Sequence, residues 1–298
     1  MKEIGTSMLP YTLMGAIFMY SLKEYWLGVF SNETEQPEWW QRKLALWERE
    51  KASIVKVSGR GELFRKLRFD DKTLQEYLLH ISFLIKQKEH YHLEEQLISY
   101  RMELKNGKII KHEEIPREQP ARENPNSLLE DSGGVRQDFV YDRREAVRYA
   151  ERWWNSHNPD FRVFEDDCTN YISQCLLAGG APMRGAPVRE RGWWYTGNSW
   201  SFSWAVAHSL RWYLSGSTSG LKGKELQSPE ELLLGDVICY DFEGDGRWDH
   251  NTIVVNKDAN GMPLVNAHTN NSRNRYWTYE DSAAWTPNIQ YKFFRIGE

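Results

Sequence analysis

The sequence predicts an α+β protein built from two domains, and three observations support this prediction. Large apolar residues recur at helical spacing up to residue 50, and apolar and polar residues then alternate as in strands. A segment rich in proline and charge follows at residues 116–138 and is typical of a linker. Helical and strand-like runs resume after it. We therefore expect one domain at 1–115 and a second at 139–298.

The bulk composition limits the classes of partner. The chain has 298 residues, a formal net charge of −4 and 40% hydrophobic residues, without the basic stripe that nucleic-acid binding favours. Three cysteines without paired spacing indicate free thiols and a reducing compartment. We therefore expect no nucleic-acid partner and favour the cytoplasm, with association with the cell envelope or a spore left open.

The apolar segment Met8–Leu22 bears on membrane association. It is shorter than the roughly 18 to 20 residues that a spanning helix needs. The sequence after it continues as an amphipathic helix. We expect a packed helix rather than an integral membrane span, and a peripheral anchor or a signal peptide is the alternative.

The first domain is predicted to be a helix followed by an antiparallel sheet. Residues 8–50 have helical spacing, and Leu79–Lys86 has strand character. The runs Tyr91–Glu103 and Lys108–Glu114 flank Asn106-Gly107, which is the strongest short signal for a β-hairpin. This domain carries no evident set of nucleophile, base or metal ligands.

Cys168 lies at the predicted start of a helix in the second domain. The run Phe164–Gly180 has helical spacing and ends in two glycines, and either Asp166 or Asp167 is suited to cap its start. A thiol there is close to the positive end of the helix dipole and to free backbone N–H groups. Cys168 is therefore the candidate nucleophile, and an apolar core residue is the alternative.

The candidate general base is His250, which precedes the apolar strand Thr252–Val255. A histidine at such a strand start can project towards a facing helix terminus. The next strand, Leu264–His268, places Asn266 and His268 on one face, because side chains two residues apart share a face. Either could orient the imidazole as the third member of a triad, and we prefer His268.

These same residues carry a family resemblance. The runs Asp167–Gln174, Gly235–Ile238, Asp249-His250 and His268-Thr269 together resemble the putative amidase domain of Gram-positive bacteria. That group is similar to the NlpC-like and CHAP peptidases of the papain-like superfamily. The resemblance covers about residues 139–295. It implies a papain-like α+β fold for the second domain and cleavage of an amide bond, often in peptidoglycan peptides or related substrates.

We therefore predict a cysteine amidohydrolase or peptidase that acts on a peptide or amide through a thioester and needs no cofactor. Trp194, Trp200 and Asp167 are expected to contact the substrate. The same groups could transfer the acyl chain to an amine instead of water. A non-catalytic module that binds cell-wall peptide or glycan is the alternative from a different class.

An acidic turn precedes His250. Asp241, Glu243, Asp245 and Asp249 partly match the spacing of an EF-type calcium loop. The twelfth position is Thr252 rather than a bidentate glutamate, and strands rather than helices flank the turn. We predict an acidic turn without a metal ion.

Overall fold

The computed structural model describes residues 13–115 and 139–298, with side chains described from Leu22 onward. The described residues form two compact units, and the first contains the segment up to residue 115 together with Glu280–Ala283. Each unit combines helices with an antiparallel sheet, which confirms the predicted α+β class. The linker at 116–138 and residues 8–12 of the predicted helix lie outside the described residues, so the domain boundaries stay a prediction.

The first unit contains two helices and a four-stranded antiparallel meander, in which each strand pairs with the next along the chain. Its elements are α1 (Leu13–Ser31), α2 (Glu38–Arg49), β1 (Ala52–Phe69), β2 (Lys72–Gln87), β3 (His90–Lys105) and β4 (Lys108–Glu114). Asn106 and Gly107 join β3 to β4 with φ angles of 48° and 78°. These left-handed values are what an Asn-Gly hairpin requires, so the predicted hairpin is confirmed.

The predicted helical region up to residue 50 is broken once. Asn32 has φ 64°, and a left-handed residue at this place ends a helix. Pro37 then stands at the N-cap of α2, where its ring fixes φ at −61°. The predicted single helical region therefore forms two helices, because the polar residues 31–38 between them carry Asn32 and Pro37 and no apolar residue that could continue the buried face.

The second unit contains helices and a six-stranded antiparallel sheet. Its helices are α3 (Arg143–Trp153), α4 (Cys168–Ala178), α5 (Phe202–Ala205) and α6 (Ala207–Gly216). Its strands are β5 (Tyr195–Thr196), β6 (Ser199–Trp200), β7 (Gly223–Leu226), β8 (Val237–Asp241), β9 (His250–Lys257), β10 (Pro263–Ala267), β11 (Ser272–Tyr276) and β12 (Gln290–Ile296). The strand order in the six-stranded sheet is β11-β10-β9-β8-β12-β7, and β5 and β6 form a separate small hairpin.

Strand β9 separates two apolar clusters, because successive side chains of a strand point to opposite faces. Ile253 and Val255 belong to the cluster that includes Ile172 of α4. Val254 belongs to the cluster on the other face of the sheet. By the same alternation His250, four residues before Val254, is expected on the face that is turned away from α4.

Helix α3 packs beside α4 through its small residues. Asp142 caps α3 by accepting hydrogen bonds from the backbone N–H groups of Arg144 and Glu145, at 3.0 and 3.1 Å. Ala146 and Ala150 are fully buried, so the two helices can approach closely.

Across the described ranges, no helix is both long and apolar enough to cross a membrane.

Candidate active site

Helix α4 begins at Cys168, as the sequence predicts, and its start is held by Asp167. The Asp167 side chain does not cap the helix backbone. Its Oδ1 accepts hydrogen bonds from the Phe164 backbone N–H and from Asn170 Nδ2, at 3.1 and 2.9 Å. These contacts fix the loop before the helix, and the Cys168 side chain that follows is only 4% exposed.

The thiol of Cys168 faces two hydrogen-bond donors and two carboxylates. Its Sγ lies 3.6 Å from Thr169 Oγ1, and the backbone N–H of Asn251 acts on the thiol as a donor that lowers its pKa. Burial raises the pKa of this thiol to about 11, and the charges of Asp166 and Asp167 also raise it, against the lowering by Thr169 and Asn251. The thiol is therefore protonated at neutral pH in this arrangement.

His250 is the first residue of β9, as predicted, and its ring lies among aromatic side chains. The ring centroid is 5.7 Å from that of Tyr240, and Nε2 lies 3.3 Å from Tyr279 Oη. The side chain of the next residue, Asn251, donates to Thr169 at the start of α4. The structure therefore brings the start of β9 to Cys168 through Asn251, and it turns the His250 ring towards the opposite face.

His268 forms a buried contact with Asp167. Its Nδ1 lies 2.7 Å from Asp167 Oδ2, and its Nε2 lies 2.8 Å from the carbonyl oxygen of Trp153. A carbonyl oxygen has no proton to give, so Nε2 must be the donor. Nδ1 faces a carboxylate and must also carry a proton if Asp167 is ionised. The geometry therefore requires a proton on Nε2 and one proton between Nδ1 and Asp167 Oδ2, and the ring stacks on Tyr171 at 4.0 Å.

Asn266, the other predicted third residue, contacts different elements. Its Nδ2 donates to Glu151 Oε1 of α3, and its Oδ1 accepts from the Asn274 backbone N–H, both at 2.9 Å. The described partner of the His250 ring is instead Tyr279, whose hydroxyl also lies 3.1 Å from Ser272 Oγ. The sequence gives no signal for Tyr279, because it lies in a turn with φ 57° and belongs to no motif.

The two predicted substrate-contacting tryptophans have different surroundings. Trp194 is 1% exposed, and its Nε1 donates to the carbonyl oxygens of Val188 and Arg191, so it lines no open surface in this structure. Trp200 is half-buried, with the guanidinium groups of Arg162 and Arg189 over its ring at 5.2 and 5.5 Å.

A shallow cavity lies beside the start of α4. Aromatic, cationic and polar side chains share its walls, and in this structure the cavity has no room for a water-sized group. Its lining residues are Trp153, His157, Asn158, Phe161, Arg162, Val163, Asp167, Asn170, Gln174 and His268. Of the predicted site residues, Asp167 and His268 line it directly.

One group of side chains in this cavity could in principle hold a metal ion. The atoms of His157, Asp167 and His268 that could ligate a metal ion lie within 4.8 Å of one another. However, two ligands of one tetrahedral zinc ion are about 3.3 Å apart. The 2.7 Å between His268 Nδ1 and Asp167 Oδ2 is the length of a charge-assisted hydrogen bond. A proton therefore fits this contact better than a metal ion.

A second such group, Asp241, Glu243 and Asp249, lies in the acidic turn. The Asp241 carboxylate accepts hydrogen bonds from the backbone N–H groups of Gly244 and Gly246, at 2.7 and 2.8 Å. Burial, together with the nearby charges of Glu243 and Asp241, raises the pKa of Asp249 to about 7, against the lowering by the Phe242 backbone N–H. These contacts agree with an acidic turn in which Asp241 organises the backbone.

Comparison with known proteins assigns the family. Residues 140–294 match the family described as a putative amidase domain, and the chain belongs to this family. The matched range includes both elements of the candidate site, α4 and β9. The family assignment suggests amidohydrolase activity.

Two relatives from Bacillus subtilis (strain 168) are similar to this chain. The uncharacterized protein YhbB is 46% identical over 264 residues, which cover 86% of this chain and 85% of that protein. The uncharacterized protein YjcM is 30% identical over 193 residues, which cover 61% of this chain and 44% of that protein. No solved structure matches the chain.

Proposed function

We propose that the second unit is a papain-like cysteine amidohydrolase of the NlpC/CHAP type, with Cys168 as the nucleophile and His250 as the general base. One observation carries this proposal. Cys168 opens α4, and the side chain of Asn251, the residue that follows His250 on β9, donates to Thr169 Oγ1, which lies 3.6 Å from the thiol. A cysteine and a histidine 82 positions apart in the sequence thus belong to elements that meet at the thiol.

The reaction that this arrangement supports is acyl transfer to water. His250 takes the proton of Cys168, and the thiolate attacks the carbonyl carbon of the amide. The backbone N–H of Cys168 helps to stabilise the oxyanion. The tetrahedral intermediate then expels the amine, which receives the proton from His250. Water hydrolyses the resulting thioester and regenerates the thiol. An amine in place of water would give transfer to a second acceptor.

The described geometry corresponds to a resting state of this reaction. The thiol is buried and protonated, and the His250 ring lies among aromatic side chains. Proton transfer requires a separation of about 2.6 to 3.2 Å or a bridging water, and catalytic contacts often tighten only when substrate binds. We propose that substrate binding turns the imidazole towards Cys168, where an imidazolium would offset the charges of Asp166 and Asp167.

The two candidates for the third residue receive supporting roles in this proposal. His268 holds Asp167, which in turn fixes the loop before Cys168. Asn266 joins β10 to α3 through Glu151. We propose that both maintain the position of the nucleophile.

The cavity beside α4 is the proposed substrate site. Trp153 and Phe161 offer apolar surface, and Arg162 and His157 offer cationic or polar groups. Such walls suit a peptide, and the family resemblance favours cell-wall peptides as its source.

The first prediction tests the nucleophile and the base. The full chain is incubated with purified cell-wall peptides, and newly formed amines and carboxylates are identified by mass spectrometry. Cys168→Ala and His250→Ala should each lower turnover at least about 1000-fold, because members of a catalytic set act as a unit.

Cys175→Ala is the matched control, since Cys175 is a buried thiol in the middle of the same helix and should leave turnover within a few-fold of the parent. Full turnover by Cys168→Ala would exclude the thiol mechanism.

A second candidate function is a non-catalytic module that binds cell-wall peptide or glycan. The buried, protonated Cys168 thiol favours it, because such a thiol is a poor nucleophile. Sedimentation with purified cell wall, without any soluble product and without an effect of Cys168→Ala, would support this candidate over the enzyme.

A further inference from the structure

Thr169 and Asn251 form a hydrogen-bonded chain that ends at the Cys168 sulfur. Asn251 Nδ2 donates to Thr169 Oγ1 at 3.0 Å, and Thr169 Oγ1 lies 3.6 Å from Cys168 Sγ. All three residues are buried, with at most 4% of their surface exposed. Neither Thr169 nor Asn251 was a candidate site residue in the sequence.

The donor direction along this chain follows from counting protons. Asn251 Nδ2 can only donate, so Thr169 Oγ1 is the acceptor of that bond. The hydroxyl proton of Thr169 is then available for Cys168 Sγ. A thiolate can only accept a hydrogen bond. In this chain Asn251 donates to Thr169 and Thr169 donates to Cys168, so the hydroxyl stabilises the ionised sulfur. The backbone N–H of Asn251 adds a second donor at the same atom.

One feature of Asn251 supports a role beyond packing. Its Oδ1 is buried and has no hydrogen-bond partner among the described residues. An unsatisfied buried carbonyl is destabilising. Rotating the carboxamide would bring Oδ1 to the Thr169 hydroxyl, but the hydroxyl proton would then turn away from the sulfur. Only the orientation with Nδ2 towards Thr169 leaves the hydroxyl proton free to be donated to the thiolate.

We propose that Thr169 is a catalytic residue that donates a hydrogen bond to the Cys168 thiolate, and that Asn251 is the positioning residue that orients the Thr169 hydroxyl. This inference rests on the proposed function, in which the Cys168 thiolate is the nucleophile. The charged groups that oppose the ionised sulfur are the carboxylates of Asp166 and Asp167.

The second prediction tests this donor chain by the pH dependence of Cys168 alkylation. The full chain is treated with iodoacetamide from pH 7 to pH 10.5, and the rate at each cysteine is read by mass spectrometry. Thr169→Val keeps the shape and removes the donor, so labelling of Cys168 should become about tenfold slower in the range where the rate follows thiolate. Thr169→Ser keeps the hydroxyl and should stay within about twofold of the parent, and Asn251→Leu should give an intermediate loss.

Controls within the same molecule separate this effect from a loss of fold. Cys175 and Cys239 are fully buried, so their labelling reports unfolding and should not change in these variants. An unchanged pH profile in Thr169→Val would refute the donor chain, and so would a Thr169→Ser variant as slow as Thr169→Val. Faster labelling of Cys175 and Cys239 in Asn251→Leu would show that this variant is partly unfolded. The comparison of Thr169→Val with Thr169→Ser then decides.

The outcomes distinguish this inference from the proposed function. If Thr169→Val shifts the Cys168 profile while Cys168→Ala retains full turnover, the donor chain stands and the thiol mechanism fails. If Cys168→Ala abolishes turnover and Thr169→Val changes neither the profile nor turnover, the mechanism stands and the donor chain fails.

Discussion

At the scale of single residues, Cys168 shows how opposing effects meet at one atom. The helix start and two donors favour the thiolate, whereas burial and two carboxylates oppose it. Burial is the largest effect and raises the pKa to about 11. In the proposed mechanism, the reactivity of Cys168 therefore depends on how a bound substrate changes the polarity around the thiol and the position of His250.

The pair of His268 and Asp167 is a second residue-scale feature. Both side chains are at least 95% buried, and their contact of 2.7 Å is charge-assisted. Removing one partner of a buried ion pair leaves an uncompensated charge, which costs about 3 to 5 kcal/mol. The loop before Cys168 should therefore depend on this pair.

The third prediction concerns stability. His268→Gln should lower the free energy of unfolding by about 3 kcal/mol in urea titrations. The double variant Asp167→Asn with His268→Gln should lose at least about 1 kcal/mol less of this free energy than the two single variants lose together. Additive effects would mean that the two residues do not act as a pair. A large loss of turnover without loss of stability would instead indicate a direct role for His268 in the reaction.

At the scale of secondary-structure elements, strand β4 carries a half-buried histidine, His112, in the first unit. Trp26 Nε1 donates to Tyr77 Oη, and this hydroxyl lies 2.7 Å from His112 Nε2. The Tyr77 proton is then directed at the imidazole, which accepts it in the neutral state. Burial lowers the pKa of His112 to about 4, and its ring stacks on Tyr100 at 4.9 Å.

The fourth prediction follows from the sign of this shift. The unfolded chain binds a proton at His112 near pH 6.5, and the folded chain does so only near pH 4. Neutral His112 therefore contributes fully to the free energy of unfolding above pH 6.5. This contribution is lost as the pH falls towards 4, by up to about 3 kcal/mol. Urea unfolding followed by tryptophan fluorescence should show this loss.

His112→Gln should reduce this slope between pH 6.5 and pH 4. The exposed His90 at the start of β3 provides the control, because His90→Gln should leave the slope unchanged. Equal slopes in the parent and in His112→Gln would show that other groups account for the acid sensitivity.

At the scale of the whole molecule, each unit combines residues that are far apart in the sequence. Within the first unit, Lys43 Nζ lies 2.5 Å from Glu94 Oε1 and 2.7 Å from Asp281 Oδ2, and all three side chains are about 1% exposed. The ammonium group also lies 4.6 Å above the Phe83 ring. One buried cation thus compensates two buried carboxylates, and the segment Glu280–Ala283 belongs to this unit in consequence.

The fifth prediction tests this cluster. Lys43→Met should lower the free energy of unfolding by about 3 to 5 kcal/mol, because it leaves two carboxylates buried without a cation. Adding Glu94→Gln and Asp281→Asn should recover part of this loss. Lys111→Met is the control, since its exposed ion pair with Glu113 should be worth no more than about 1 kcal/mol. Similar losses in both variants would contradict the buried-charge argument.

The sequence by itself determined the features that depend on near neighbours along the chain. It predicted the α+β class, the Asn-Gly hairpin, the helix that begins at Cys168 and the strand that begins at His250, since backbone preference and apolar periodicity are local properties. Its motif residues were also sufficient to indicate the family. The break between α1 and α2 was missed although residues 31–38 are polar and include Asn32 and Pro37, which are local signals for the end of a helix.

The tertiary structure alone decided which side chains meet. Strand alternation turns the His250 ring away from α4 and presents Asn251 to it, and His268 pairs with Asp167 rather than with His250. Trp194 is buried although it was expected to contact substrate. Such contacts join residues up to about a hundred positions apart, and they depend on the register and packing of whole elements, which no local pattern encodes.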